Sequence, residues 1–210
     1  MLIRPQNANQ ERYVHSIKNN LITIGIGPAG TGRSLLALYE GCRLINNSNS
    51  DIEKIIYLRA NVGMEEEKSL GALPGMLSDK VAPLAYPVLD SLIQFMGEGQ
   101  AKYLVETGKI EVLPIAMVRG RSFANRFIIC DECQSCSPHM IKTILTRISY
   151  GSKMVLCGDH SQRDTSRYSD GLLDAINRLG GLDDIGIVRF NRNDVVRHPI
   201  IQHILSRYES

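Results

Sequence analysis

A glycine-rich octet, Gly27-Pro28-Ala29-Gly30-Thr31-Gly32-Arg33-Ser34, stands between an apolar run at 21–26 and a helical pattern at Leu35, Leu38, Tyr39, Cys42 and Ile45. A strand that turns through glycines into a helix lets backbone N–H groups converge on an anion, with the positive helix end behind them. The octet fits G-x-x-x-x-G-K-[ST] at every place except the lysine, which is Arg33. Gly27, Pro28, Ala29, Gly30, Thr31, Gly32, Arg33 and Ser34 are therefore the candidate nucleotide-binding residues, with the Ser34 hydroxyl a candidate Mg²⁺ ligand. Arginine keeps the lysine's charge but not its shape, because a planar guanidinium does not fill the notch of a compact ammonium. Retained nucleotide binding with weakened hydrolysis is the expectation.

Two more apolar runs end in polar residues. Phe127-Ile128-Ile129-Cys130 leads into Asp131-Glu132, and a run at 154–157 leads into Gly158-Asp159-His160-Ser161-Gln162. Acids at the C-terminal end of a buried strand sit where ligands of open α/β sheets bind. Asp131 is the candidate Mg²⁺ holder, Glu132 the residue that orients and deprotonates water, and Gln162 the group that senses the γ-phosphate. Strands are expected at 21–26, 55–59, 110–113, 127–130, 154–157 and 185–190, alternating with helical patterns. That alternation predicts an α/β fold, a mostly parallel sheet flanked by helices on both faces. Helices are expected after Pro138 and from Pro199 onward, and residues 64–87, with their glycines and prolines, read as an insertion of loops and short helix.

At 210 residues the chain reads as one domain over 1–210, 43% hydrophobic and 22% charged, which excludes a disordered chain. A net charge of +2 marks no global polyanion binder, so any nucleic-acid contact must come from local clusters. Arg119, Arg121 and Arg126 form one cluster; Arg189, Arg192 and Arg197 form another. Each is a candidate phosphate contact or arginine finger, with scattered surface arginines as the bland alternative. No leader or membrane-length apolar run is evident, so a cytoplasmic location without membrane contact is expected. The Cys130-x2-Cys133-x2-Cys136 spacing invites thought of an iron–sulfur cluster, but cysteines inside apolar runs read as buried thiols. Gln10 and Tyr13, shortly before the first strand, are candidates to read and stack on adenine; surface positions on a polar helix are the plainer reading.

Together these segments resemble the PhoH-like family of phosphate-starvation-associated ATPases. The resemblance runs over nearly the whole chain. It includes Glu67-Lys68-Ser69-Leu70-Gly71-Ala72-Leu73-Pro74-Gly75, Met117-Val118-Arg119-Gly120-Arg121-Ser122-Phe123, Leu145-Thr146-Arg147-Ile148 and Asp194-Val195-Val196-Arg197-His198-Pro199. It implies a RecA-like P-loop NTPase core similar to that of superfamily 1 helicases, ATP and Mg²⁺ as cofactors, and assembly of identical copies as a hexameric ring. It places Gln10 on the adenine-reading motif, Gln162 on the γ-phosphate sensor, and Arg197 on a finger acting across subunits. Relatives with an attached ribonuclease domain act on RNA, so single-stranded RNA or DNA is the implied partner; neither that domain nor a second RecA-like lobe is expected within these residues. Two main readings remain: an ATP hydrolase of PhoH type, or a nucleotide-dependent binding module whose hydrolysis Arg33 impairs. A small-molecule kinase fits less well, since Asp131, Glu132 and Gln162 suit water activation.

Overall fold

The computed structural model describes residues 2–59, 77–160, 170–197, 200 and 207, with side chains omitted over 77–83. Gln162, His198, Pro199, all of the expected last helix but residues 200 and 207, and the 67–75 motif lie outside the described residues. Six strands form one all-parallel sheet: β1 (Ile22–Ile26), β2 (Lys54–Arg59), β3 (Ile110–Pro114), β4 (Arg126–Asp131), β5 (Lys153–Gly158) and β6 (Ile185–Arg189). Their order across the sheet is β3-β2-β4-β5-β1-β6. All six expected strands are present, shifted by a residue or so at their ends.

The inner strands are continuous apolar runs because both of their faces are covered. Phe127 and Ile129 of β4 face one core with Tyr13, Leu38, Ile55 and Leu92; Ile128 and Cys130 face the other with Ile24, Leu156 and Leu172. Helices α1 (Ala8–Asn19), α2 (Arg33–Ile45), α3 (Leu77–Met96) and α4 (Glu98–Glu106) cover the first face; α5 (Pro138–Leu145) and α6 (Gly171–Leu179) cover the second. α2 lies close on β4 at Gly41, where a Cβ would come within 2.7 Å of Phe127 Cδ1. Residues 77–87, expected as loop and short helix, instead begin the 20-residue α3. Burial of Val88, Leu92 and Phe95 at helical spacing stabilises α3 despite Pro83 and Pro87, since tertiary packing outweighs propensity. Among the described residues no helix is long and apolar enough to cross a membrane.

The strand order determines what the site contains. β5 lies between β1 and β4, so the C-terminal ends of three neighbouring strands deliver the glycine loop, Asp159 and the Asp131-Glu132 pair to one edge. Ligands of open parallel sheets bind at that edge.

Candidate nucleotide-binding site

The loop after β1 is held from several directions. Gly27 N–H donates to Gly158 O (3.1 Å) and Ala29 N–H to Asp159 Oδ2 (2.8 Å). Thr31 Oγ1 donates to Pro28 O (3.1 Å), and Val196 N–H donates to Gly30 O (2.9 Å). Gly32 is in the left-handed region (φ 80°) as the N-cap of α2, and Gly30 likewise (φ 83°), conformations that favour glycine. The loop thus leads straight into a helix N-terminus, as the spacing predicted.

Arg33 accounts for the departure from lysine. Its Nη1 donates to Pro28 O at 3.0 Å, and its guanidinium lies 5.8 Å from the centre of the Phe190 ring, near enough for a cation–π contact. With 8% of its surface exposed, Arg33 is folded against the loop, bracing it through Pro28 O.

The structure brings Ser34 and Asp131 together. Ser34 Oγ donates to Asp131 Oδ1 (2.8 Å), joining the glycine loop to β4 across the intervening β5. Tyr57 of β2 donates its hydroxyl proton to Asp131 Oδ2 (2.6 Å). Burial, and then the neighbouring Asp131 carboxylate, push the Tyr57 phenol well above its ordinary range, so it remains a donor. A hydroxyl and a carboxylate oxygen side by side form a hard-oxygen pair that fits Mg²⁺, which takes one or two protein ligands and completes its shell with phosphate and water.

Glu132 adopts a left-handed backbone (φ 58°, ψ 37°), uncommon for a residue with a side chain, and strain of this kind clusters at functional sites. Its N–H donates to Asp131 Oδ1 (3.1 Å), and its Oε2 accepts from Gln134 Nε2 (2.7 Å). Gln134 Oε1 accepts in turn from Asp159 N–H (3.0 Å). A relay therefore runs from Glu132 through Gln134 and Asp159 to Ala29 of the loop. Tyr57 and the linking roles of Gln134 and Asp159 were not anticipated. Tyr57 and Asp131 stand on different strands and Gln134 meets Asp159 across the sheet's edge, so only the nearness of Gln134 to the acids, two residues after Glu132, was visible in the sequence.

Beneath the acids, Cys130, Cys133 and Cys136 are buried as read from the sequence. Cys133 Sγ donates to Cys130 O (3.1 Å) and its thiol is pushed up by burial. Hydrogen bonds from Cys130 and Cys133 pull the Cys136 thiol below its ordinary value.

The adenine candidates are engaged elsewhere. Gln10 Oε1 accepts from Gln6 N–H (2.7 Å) and its Nε2 donates to Thr31 O (3.0 Å), so its amide buttresses the loop. Tyr13, expected to be able to stack on adenine, is fully buried, edge-on to Phe190 at 5.5 Å and 3.1 Å from Cys157 Sγ. Its place on the inward face of α1 fills the core beneath Gly25, and no ring is left for a ligand.

The two arginine clusters part company. Arg126 opens β4 and pairs with Glu53 (2.7 Å), while Arg121 pairs with Glu111 near the start of β3 (3.1 Å). Both sit at the N-terminal edge of the sheet, a strand's length from the glycine loop, and are committed to ion pairs. Arg189, Arg192 and Arg197 are exposed; Arg189 ends β6 in register with Ile26, just before the loop, and Arg197 packs over Gly30.

Comparison with known proteins accords with this geometry. A family model described as PhoH-like protein matches residues 2–209. The PhoH-like protein of Bacillus subtilis (strain 168) is 39% identical over 208 residues, covering 99% of this chain and 64% of the relative. Protein PhoH of Escherichia coli (strain K12) is 32% identical over 209 residues, covering 98% of this chain and 58% of the relative. The chain therefore spans less than two thirds of these relatives' lengths. Among solved structures, the large terminase of a thermophilic bacteriophage aligns with a TM-score of 0.52 at 11% identity, over 97% of this chain and half of that one. Another crystal form of that terminase, in complex with ADP, aligns at 0.50 and 11% over 95% of this chain and 49% of that one. At such identity the likeness is one of fold, that of the P-loop NTPases.

Proposed function

This chain belongs to the PhoH-like family, and from that membership and the site geometry we propose that it is an ATP-binding P-loop ATPase whose hydrolysis is slowed by Arg33. The contact between Ser34 Oγ and Asp131 Oδ1 carries the reading, since it joins the glycine loop to the acid that the chemistry needs. Ser34 and Asp131 would hold Mg²⁺, which when bound neutralises phosphate charge. The loop N–H groups and the N-terminus of α2 orient the phosphates. Glu132, held by Gln134, takes the proton of the attacking water at a carboxylate oxygen. Gln162 senses the γ-phosphate, and Gln10 reads adenine once released from Thr31; both roles rest on the family resemblance. So do assembly as a homohexameric ring, action on single-stranded RNA or DNA, and a cytoplasmic location.

A second reading, a nucleotide-dependent binding module, is favoured by one observation: the Arg33 guanidinium is tied to Pro28 O and Phe190. Mg²⁺-dependent phosphate release by the parent chain beside Arg33→Lys, with and without single-stranded RNA and DNA, tests both. The ATPase reading expects slow turnover in the parent and an increase of about tenfold or more in Arg33→Lys. Turnover in Arg33→Lys alone transfers the parent to the module reading. Absence of turnover from both, with ATP bound, rejects hydrolysis.

A further inference from the structure

Two arginines flank one turn of the glycine loop. Arg33 reaches Pro28 O from within, while the Arg197 side chain crosses the loop at Gly30. A Cβ on Gly30 would fall 2.5 Å from Arg197 Nε and 2.9 Å from its Cγ, so the side chain lies in the space that the missing methyl leaves. The preceding residue is pinned there too, since Val196 N–H donates to Gly30 O (2.9 Å).

The segment carrying Arg197 is itself anchored in its own subunit. Asp194, 5% exposed, accepts from Asn191 N–H (2.8 Å) in a capping box and from Asn9 Nδ2 of α1 (2.8 Å). Its carbonyl accepts from Asn7 Nδ2 (3.4 Å). Arg197 therefore sits three residues from a buried anchor and one residue from a loop contact, with an exposed guanidinium-bearing side chain.

Resting on the ATP reading above, we propose that Arg197 serves the nucleotide of its own chain. It supplies, across Gly30, the phosphate-facing cation that Arg33, turned inward, does not present. A finger reaching a neighbouring subunit would need a segment free to leave its own loop, and here Asp194 is held to α1 and Val196 to that loop. The ligand class is a nucleoside triphosphate, since a cation at the mouth of the loop gains most where negative charge is densest.

The test measures binding of a fluorescent ATP analogue and of the matching ADP analogue by anisotropy. The proteins are the parent chain, Arg197→Ala, Arg197→Lys, Arg33→Lys and the double variant Arg33→Lys/Arg197→Ala, with circular dichroism melts to confirm folding. Arg197→Ala is expected to weaken ATP binding about tenfold or more, as loss of one charge-assisted contact does, and ADP binding by less. Arg197→Lys recovers part of the loss. In the Arg33→Lys background the same truncation has a smaller effect, because lysine already supplies the charge.

A second arm adds excess copies that retain Arg197 but carry Gly32→Val, a β-branched residue in the loop's left-handed position that blocks their own site. An arginine acting in its own chain predicts no recovery of ATP binding by Arg197→Ala. Recovery overturns the proposal in favour of action across subunits, and equal losses in both Arg33 backgrounds overturn the substitution of one arginine for the other. Parent-like ATP binding by Arg197→Ala defeats this inference alone. A parent chain that binds neither analogue defeats the ATP reading itself, and this inference with it.

Discussion

Replacing Gln134 with leucine separates the relay's mechanical part from its chemical part. The substitution keeps the volume of a residue that is 5% exposed but removes its amide. One consequence is the loss of the acceptor for Asp159 N–H, on a residue 4% exposed. A buried donor left unsatisfied costs about 1–3 kcal/mol. For a chain of this size that lowers the melting temperature by about 2–12 °C. The other consequence falls on Glu132, whose carboxylate loses the 2.7 Å bond from Gln134 Nε2 that holds its direction. Misplacement of a reacting group by about 1 Å reduces rate by up to ~100-fold, so kcat is expected to fall about 10- to 100-fold while ATP affinity changes little. The assay is steady-state phosphate release, run in the parent and Arg33→Lys backgrounds beside thermal melts and nucleotide titrations. A kcat that holds while the melting temperature falls would refute a positioning role and leave Gln134 as a structural bridge. A loss confined to affinity would refute the assignment of the relay to Glu132.

Tyr13→Phe removes the contact with Cys157 Sγ but no group that faces the loop's mouth, so it should lower stability by about 0.5–1.5 kcal/mol and leave ATP affinity within about twofold; a tenfold affinity loss in nucleotide titration would return Tyr13 to the base site. Gly41→Ala should destabilise by up to about 2 kcal/mol in urea titration, because its methyl meets Phe127 at 2.7 Å and Ile55 at 3.1 Å, an overpacking cost of about 1–3 kcal/mol that the ~1 kcal/mol helix preference for alanine only partly offsets. Burial pushes the Cys42 and Cys157 thiols up to about 12, whereas unfolded thiols titrate near ~8.5. Above that value the unfolded state sheds protons that the folded state keeps, so stability is full below pH ~8.5 and falls toward pH 12 by about 1.4 kcal/mol per pH unit for each thiol. Urea titrations at pH 8 and pH 10 should show this slope, and Cys42→Ala should remove about half of the pair's contribution.

The sheet was legible because parallel strands covered on both faces must be apolar without interruption, and 127–130 and 154–157 read that way on their own. The glycine loop was legible because it is local, with its strand, turn and helix all within 24 residues of sequence, 22–45. What depends on distant neighbours was not. Tyr57 gives no sign of bonding Asp131 until β2 and β4 lie side by side. Pro83 and Pro87 argued against a helix that the burial of Leu92 and Phe95 maintains. Tyr13 read as a surface or base-stacking ring because the inward face of α1 is set by Phe190, far along the chain.

Arg33 shows the same division between local and distant information at the position that matters most for chemistry. Its identity departs visibly from lysine, but its direction depends on Pro28 O and on a ring delivered by the segment after β6. A hydrogen bond from a charged donor contributes about 1.5–3 kcal/mol and an exposed-to-partly-buried cation–π contact about 0.5–2 kcal/mol. Swinging the guanidinium outward forfeits both, while a charge-assisted bond to phosphate returns an amount of the same order. The two orientations are therefore close in free energy, and the loop has no strong reason to present Arg33 to a nucleotide. Lysine can neither stack nor fork in the same way, which is why a conservative exchange at this one position is expected to shift the balance between a loop that braces itself and a loop that grips phosphate.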